Sequence, residues 1–376
     1  MSVSTNPRLA YQSEHALNAV CPYFTMFPVE FPLSVLWDAP KTALVLDPFC
    51  GRGTTAYAAR CLGLASHNID SSPVAVAIAR SKVASSSAQR VVRMATQLMA
   101  DSTNYSVPHG EFWHRAYHNS TLDQLCRLRA GLLTVRESQT SALLRAILLG
   151  VLHGPLLKGG SEGGYLSNQM PRTFAPKPDY SVSYWRSNRL RPPKRDLIRV
   201  IAHKAERALR FSPIRATAPT SVHLGDSRLR GSFTGLSRRV THVVTSPPYF
   251  GMRTYVQDQW LRNWVLGGAE SVRYGTGAQI SHASPDAFAD SLAQTWNHVA
   301  DCARDGAKMV VRFGSIGSRS SDPRDLLTTS LKVSRGPWRL KTVRLACPRS
   351  GIRRQSTQMV DCKDAHPEFD FYITLG

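Results

Sequence analysis

The chain has 376 residues, with 47 Lys and Arg against 26 Asp and Glu, a formal charge of +21 and 42% hydrophobic residues. That composition excludes a wholly disordered chain, and the length allows two domains or one large domain carrying an insertion. The most apolar stretch, Ala142 to Leu157, is broken by Arg145 and His153, so no membrane span is expected, and the opening MSVSTNPRLAYQSEH does not read as a signal peptide.

In chain order, the apolar run Ala43 to Asp47 predicts a strand, followed by a Gly-rich turn and a helix from Thr54 to Leu62. A second strand, Ala65 to Asp70, ends in an acid, and Pro73 opens the next helix through Ala75, Ile78 and Ala79. From about Ser85 to Ser221 the apolar spacing of three and four is helical, over Val91–Met99, Leu122–Leu133, Ser141–Leu152 and Lys194–Leu209. Strand signals return at Ser221–Leu224, Val240–Thr245, Ala307–Phe313, Arg339–Ala346 and Phe369–Leu375. Helices are expected between them at Ala287–Cys302 and Pro323–Val333. The expected fold is therefore α/β, a mainly parallel, doubly wound sheet of seven strands with a helical insertion and with ligands at the carboxyl ends of its strands. Residues 1–85 and 221–376 would be the two halves of the sheet domain, and 86–220 the insertion.

Seven scattered cysteines (Cys21, Cys50, Cys61, Cys126, Cys302, Cys347 and Cys362) contain no C-x-x-C pair. They point to a reducing cytoplasm rather than to a disulfide scaffold or a zinc site, and the histidines have no metal-binding spacing, so no metal is implied. Of the basic residues 37 are Arg and 10 are Lys. The guanidinium suits bidentate contacts to phosphate and guanine, so a polyanionic partner is the natural reading.

Two motifs carry chemistry. Asp47-Pro-Phe-Cys-Gly-Arg-Gly-Thr-Thr55 places two glycines after a strand and two hydroxyls at a helix start, where the backbone can approach a ligand and exposed N–H groups favour an anion. It is neither a P-loop nor G-x-G-x-x-G. An ordinary tight turn would share those glycines, but Asp70 closes the next strand where a ribose hydroxyl would be held, which favours a nucleoside-containing cofactor. Thr245-Ser-Pro-Pro-Tyr249 follows the strand Val240 to Val244. Its prolines fix a rigid loop offering the Ser246 hydroxyl, the Pro247 carbonyl and the Tyr249 ring, parts suited to a flipped base whose exocyclic amine meets two acceptors.

Taken together, these segments resemble the amino-methylating DNA methyltransferases, which transfer a methyl group from S-adenosylmethionine to an exocyclic amine. Ser-Pro-Pro-Tyr is typical of the N4-cytosine members, and Tyr23-Phe-Thr-Met-Phe-Pro28 is similar to the segment that closes over the cofactor's methionine end. The resemblance spans about residues 20–85 and 220–376. It implies a Rossmann-like methyltransferase sheet, a pocket lined by Tyr23, Phe24, Asp47, Phe49, Gly51, Gly53 and Thr54, a ribose on Asp70, and Asp226 near the adenine. Ser246, Pro247, Pro248 and Tyr249 would form the target-base site. No covalent intermediate is needed, because acceptors on the amine hydrogens raise lone-pair character at nitrogen. No Pro-Cys dipeptide exists in the chain, and Cys50 is read as a packing residue.

The expected product is N4-methylcytosine in duplex DNA, with N6-adenine methylation, RNA base methylation and an inactive DNA-binding scaffold as alternatives. Double-stranded DNA is the expected partner, and a cognate restriction endonuclease a candidate one. From Arg186 to Arg215 ten basic residues stand against two acidic ones, which points to phosphate tracking by Arg189, Arg191 and Arg195, with a solvated helix face as the alternative. Asn168 and Arg172 are types that read base edges, although a loop packed on the domain would explain them as well. Arg253 follows the target-base loop, where Tyr255 and Trp260 either clamp a nucleotide or fill a core. Arg312, Arg353 and Arg354 lie near strand ends where the family contacts substrate.

Overall fold

A computed structural model describes residues 15–23, 27–154, 164–170, 177–211, 218–252, 256–272, 280–314, 321–346 and 367–376. The chain forms two compact units. One comprises residues 24–79, 215–254 and 277–376, and the other residues 1–23, 80–214 and 255–276.

The first unit is a seven-stranded sheet. Its strands are β1 (Leu44–Asp47), β2 (Ala65–Asp70), β3 (Thr220–Leu224), β4 (Val240–Thr245), β5 (Ala303–Gly314), β6 (Trp338–Leu345) and β7 (Glu368–Leu375). They lie in the order β3-β2-β1-β4-β5-β7-β6. All pairings from β3 to β5 are parallel, and β7 runs antiparallel to both β5 and β6. This is the Rossmann-like α/β sheet expected from the alternation of apolar runs and helical stretches. The order reverses between β1 and β4, so the carboxyl ends of these two neighbours border the crevice where open α/β sheets take ligands.

Both faces of the central strands are apolar because helices cover both. On one face Val45, Val244 and Val310 pack with Phe27, Phe31, Leu36 and Ala59, the last three from the helices Glu30–Leu36 and Thr54–Cys61. On the other, Leu46, Val243, Met309, Val311 and Phe371 meet Phe288, Leu292, Trp296, Leu327 and Leu331. These come from the helices Pro285–Cys302 and Pro323–Val333, each started by a capping side chain, Ser284 or Asp322, with proline in the first turn.

The second unit is helical. Its longer helices are Ala88–Asp101, Asn119–Thr134, Gln139–Val151, Pro178–Ser187 and Leu197–Leu209. Ser87, Ser138 and Asp196 cap three of them by accepting backbone N–H bonds. Its interior is aromatic: Trp113 lies 4.6 Å from Trp264 and 5.6 Å from Trp260, and Phe112 lies 5.6 Å from Trp185, between ring centroids. The tryptophans at 260 and 264 arrive from the short helix Trp260–Val265, beyond β4 in the sequence. Arg262 of that helix is buried, donating from Nε to the Leu149 carbonyl at 3.3 Å and from Nη1 to Gln259 Oε1 at 2.9 Å. Trp260 is thus a core residue. No helix among the described residues is long and apolar enough to cross a membrane.

Candidate active site

The Gly-rich loop leaves β1 at Asp47. Asp47 is wholly buried, and its Oδ1 accepts from the Phe49 N–H at 3.1 Å and from the Thr245 hydroxyl at 2.6 Å. The second bond ties the end of β1 to the end of β4, directly before Ser246. Oδ2 is buried with no well-formed hydrogen bond among the described residues. The nearby Thr55 hydroxyl donates instead to the Val244 carbonyl at 3.1 Å. Burial, which disfavours the charged form, pushes the Asp47 carboxyl up to about 7 against the hydrogen bonds that lower it.

The two glycines have different reasons to be glycine. Gly51 has φ +50°, and a Cβ there would meet nothing within 4 Å, so its backbone borders open space. Its N–H donates to Asp70 Oδ2 at 2.8 Å, and the Ser72 N–H donates to Asp70 Oδ1 at 2.8 Å. These bonds orient the carboxylate and leave further acceptor capacity on each oxygen. Burial holds the Asp70 carboxyl above its usual range against those two bonds. Gly53 has φ +77°, and a Cβ there would stand 2.6 Å from Ala79 Cβ. It is glycine so that two helices can approach, and Thr54 beside it is buried. The packing against Ala79 is a reason for glycine at 53 separate from the ligand contact expected of its backbone.

Phe49 is half-buried, edge-on to Trp296 at 6.1 Å. Asp226, beyond β3, is gripped by its own neighbour: Arg228 donates to both oxygens, at 2.6 Å to Oδ2 and 3.0 Å to Oδ1. Burial opposes ionisation there, but the guanidinium prevails and keeps the carboxyl below its ordinary value. Tyr23 is half-buried and belongs to the helical unit, whereas Phe24 lies outside the described residues.

The loop after β4 differs from expectation. Ser246 and Pro248 are half-exposed and Pro247 is buried, but Tyr249 has 0% exposure and packs edge-on to Phe313 at 5.4 Å. A Cβ on Gly314 would come within 3.1 Å of the Tyr249 ring. The tyrosine therefore does not present an open face, because the end of β5 is shaped to receive it. Burial, reinforced by the Glu368 carboxylate, raises its phenol well above the ordinary value. The Ser246 hydroxyl is buried beside it.

Among the residues proposed for nucleic acid, Asn168 is corrected to a structural role. It is buried, its Nδ2 donates to the Arg115 carbonyl at 3.1 Å, and its Oδ1 accepts the Gln169 N–H at 2.9 Å. With its amide engaged by main chain it cannot read a base edge. Arg189 and Arg191 are exposed, and Arg195 is half-buried, with its N–H and carbonyl both bonded to the Thr121 hydroxyl. Arg312 is buried, paired with Asp370 through two 2.7 Å bonds and stacked 3.9 Å from the Phe31 ring centroid, so it braces the sheet. Arg172, Arg253, Arg353 and Arg354 lie outside the described residues.

Sequence reasoning gave Thr245 no role of its own, although it heads the Ser-Pro-Pro-Tyr segment, and passed over Glu368, which carries no local motif; Gly314, a substrate-contact candidate beside Arg312, lies against the Tyr249 ring. Thr245 had one available signal, a hydroxyl beside the Pro-Pro loop.

No family model matches the chain, and no curated protein does. Solved structures with similarity include the rRNA methyltransferase aviRa from Streptomyces viridochromogenes, at 11% identity over 96% of this chain and 91% of that one, TM-score 0.34. A geranyl diphosphate methyltransferase in complex with GPP and sinefungin aligns at 8% identity over 92% of this chain and 76% of that one, TM-score 0.36. Superpositions this loose add no argument to the fold, which the strand order itself establishes.

Proposed function

We propose that the chain is an S-adenosylmethionine-dependent DNA methyltransferase acting on the exocyclic N4 amine of a flipped cytosine. The observation that carries this reading is the joining of two loops at the point where the strand order reverses: Thr245, at the head of Ser-Pro-Pro-Tyr, donates to Asp47, at the head of the Gly-rich loop. A cofactor loop and a target loop on adjacent parallel strands are what methyl transfer between two bound molecules requires.

The residues present fit the cofactor. Gly51 offers open backbone, Asp70 has spare acceptor capacity for ribose hydroxyls, and the buried, incompletely bonded Oδ2 of Asp47 suits a cationic donor such as an ammonium. When bound, S-adenosylmethionine supplies an electrophilic methyl group. The Ser246 hydroxyl and the Pro247 carbonyl accept hydrogen bonds from the amine, orient its lone pair, and stabilise the positive charge that grows on nitrogen. In the closed conformation Tyr249 sets the height of that loop by its seat against Phe313 and Gly314. A base stacks on the ring only after this cover has moved.

The test is incubation with methyl-labelled S-adenosylmethionine and unmethylated duplex DNA, then digestion to nucleosides and mass spectrometry. N4-methylcytosine is the expected product. N6-methyladenine would overturn the base assignment alone, whereas label in RNA and none in DNA would overturn the substrate class.

A further inference from the structure

The edge strand β6 is the barest part of the sheet unit. Of its eight residues only Trp338 and Val343 are half-buried; the rest are exposed, with Leu340 at 40% and Leu345 at 58%. The parallel part of such a sheet is covered on both faces, whereas an antiparallel edge can leave one face to solvent. Here the Glu30–Leu36 and Thr54–Cys61 cover reaches Val310 and, at its margin, Tyr372, and among the described residues nothing in that cluster extends over β6.

The register shows what the bare face carries. Arg339 pairs with Thr374, which pairs with Lys308, and Arg344 pairs with Asp370. Thr374 and Asp370 lie an even number of residues apart on β7, so Lys308, Arg339 and Arg344 share one face. Lys341 sits at the register shift between Leu340 and Thr342. Arg344 stacks 5.0 Å from the Tyr372 ring centroid, which lays its guanidinium over the neighbouring strand β7. Of the two β7 acids on this face, Asp370 is taken up by Arg312 and Glu368 is buried. From Leu326 to Ala346 the sequence has no acidic residue, and Lys308, Arg339, Lys341 and Arg344 form no ion pair among the described residues.

We infer that the β6 edge, through Arg339, Lys341 and Arg344 with Lys308 beside them, is a docking surface for the phosphate backbone of duplex DNA. The inference rests on the DNA methyltransferase reading and extends it to a surface outside both loops. Charge complementarity selects the occupant. A second copy of a chain carrying +21 would set like charges against like across this edge, whereas a polyanion gains from each of them. The scale also fits: from Arg339 to Arg344 the strand rises about 17 Å at ~3.3 Å per residue, the axial length of about five base pairs. β6 runs parallel to β4 and lies three strand positions away in the sheet, or about 14 Å at ~4.8 Å per strand. Its carboxyl end therefore sits at the same rim of the sheet as the target-base loop.

Basic residues on an edge strand also prevent strand-to-strand aggregation, and the experiment separates the two roles. Binding of the full chain to a 30-base-pair unmethylated duplex is measured from low to physiological salt, for wild type and for the triple variant Arg339→Gln, Lys341→Gln, Arg344→Gln. A charge-keeping variant, Arg339→Lys, Lys341→Arg, Arg344→Lys, serves as the control, and circular dichroism confirms that each folds. The glutamine variant is expected to bind about tenfold more weakly near physiological salt on every duplex sequence, with a log–log salt slope smaller by about 2 to 3, while the control keeps most of the slope. Unchanged affinity and slope in the glutamine variant, with or without self-association, would overturn the inference. Wild-type binding that is lost in the variant, with no base methylated, would leave this surface standing and defeat the functional reading. Absence of DNA binding by the wild type would defeat both.

Discussion

The loop after β1 and the loop after β4 leave neighbouring strands on the same rim, joined by one hydrogen bond, yet they are held in opposite ways. The Gly-rich loop is shaped by its own backbone: Gly51 and Gly53 take positive φ, and Gly51 borders open space. The Pro-Pro loop is shaped from outside, by Phe313, Gly314 and Glu368 closing around Tyr249. A loop fixed by its own dihedrals can stand open for a ligand, whereas a loop fixed by packing stands closed until something displaces the packing.

The most severe way to break this contrast is Tyr249→Ala. Removing a wholly buried ring should cost about 3–5 kcal/mol in a urea titration, while Tyr249→Phe, which keeps the ring, should retain most of that stability. Equal losses from the two would show that the hydroxyl rather than the ring holds the loop.

On the other loop, Asp47 provides a pH signature. Its folded value of about 7 lies above the unfolded one, so the neutral carboxyl stabilises the fold, fully below about pH 4 and progressively less as pH rises to about 7. The loss should approach, as an upper bound, about 4 kcal/mol, and Asp47→Asn should remove that part of the slope between pH 4 and 8. Since a cation bound beside Asp47 favours its ionised form, cofactor binding at pH 6 should release a proton, measurable by calorimetry in buffers of different ionisation enthalpy.

Smaller effects separate the two glycines. Gly53→Ala, which drives a methyl into Ala79, should cost about 3 kcal/mol, whereas Gly51→Ala should cost about 1 kcal/mol from dihedral strain alone. Gly51→Ala should nevertheless weaken cofactor binding the more, measured per folded molecule. Between those two lies Thr245→Val, which should cost about 1–2 kcal/mol by removing the bond to Asp47, and uncouple the two loops so that cofactor no longer protects amides of residues 246–252 from hydrogen exchange.

The same contrast explains what could be read in the sequence. Val240–Thr245 was legible to the residue because a β-branched run ends in a turn former, and Ala65–Asp70 because Ser-Ser-Pro follows its closing acid. The positive-φ glycines were legible because dihedral demands are local. The burial of Tyr249 was not, since its cover comes from β5 and β7, far along the chain. Asn168 misled for a related reason: its residue type suits a base edge, but only the fold reveals that the Arg115 carbonyl and the Gln169 N–H already occupy it. Short helices such as Glu111–Ala116 offer too few residues to establish a period.

The helical unit draws on three separate stretches of chain, and its aromatic centre needs Trp260 and Trp264 from the last of them. During synthesis the helices from Ala88 to Leu209 therefore emerge from the ribosome before the rings that complete their interior. Four strands of the sheet, β1 to β4, will also have been made by then. The helical unit is complete once residue 276 has been made, while the sheet unit still lacks β5 to β7; a nascent chain stalled before residue 260 therefore exposes apolar surface from both, which makes this stretch of elongation the interval in which a chaperone has most to hold.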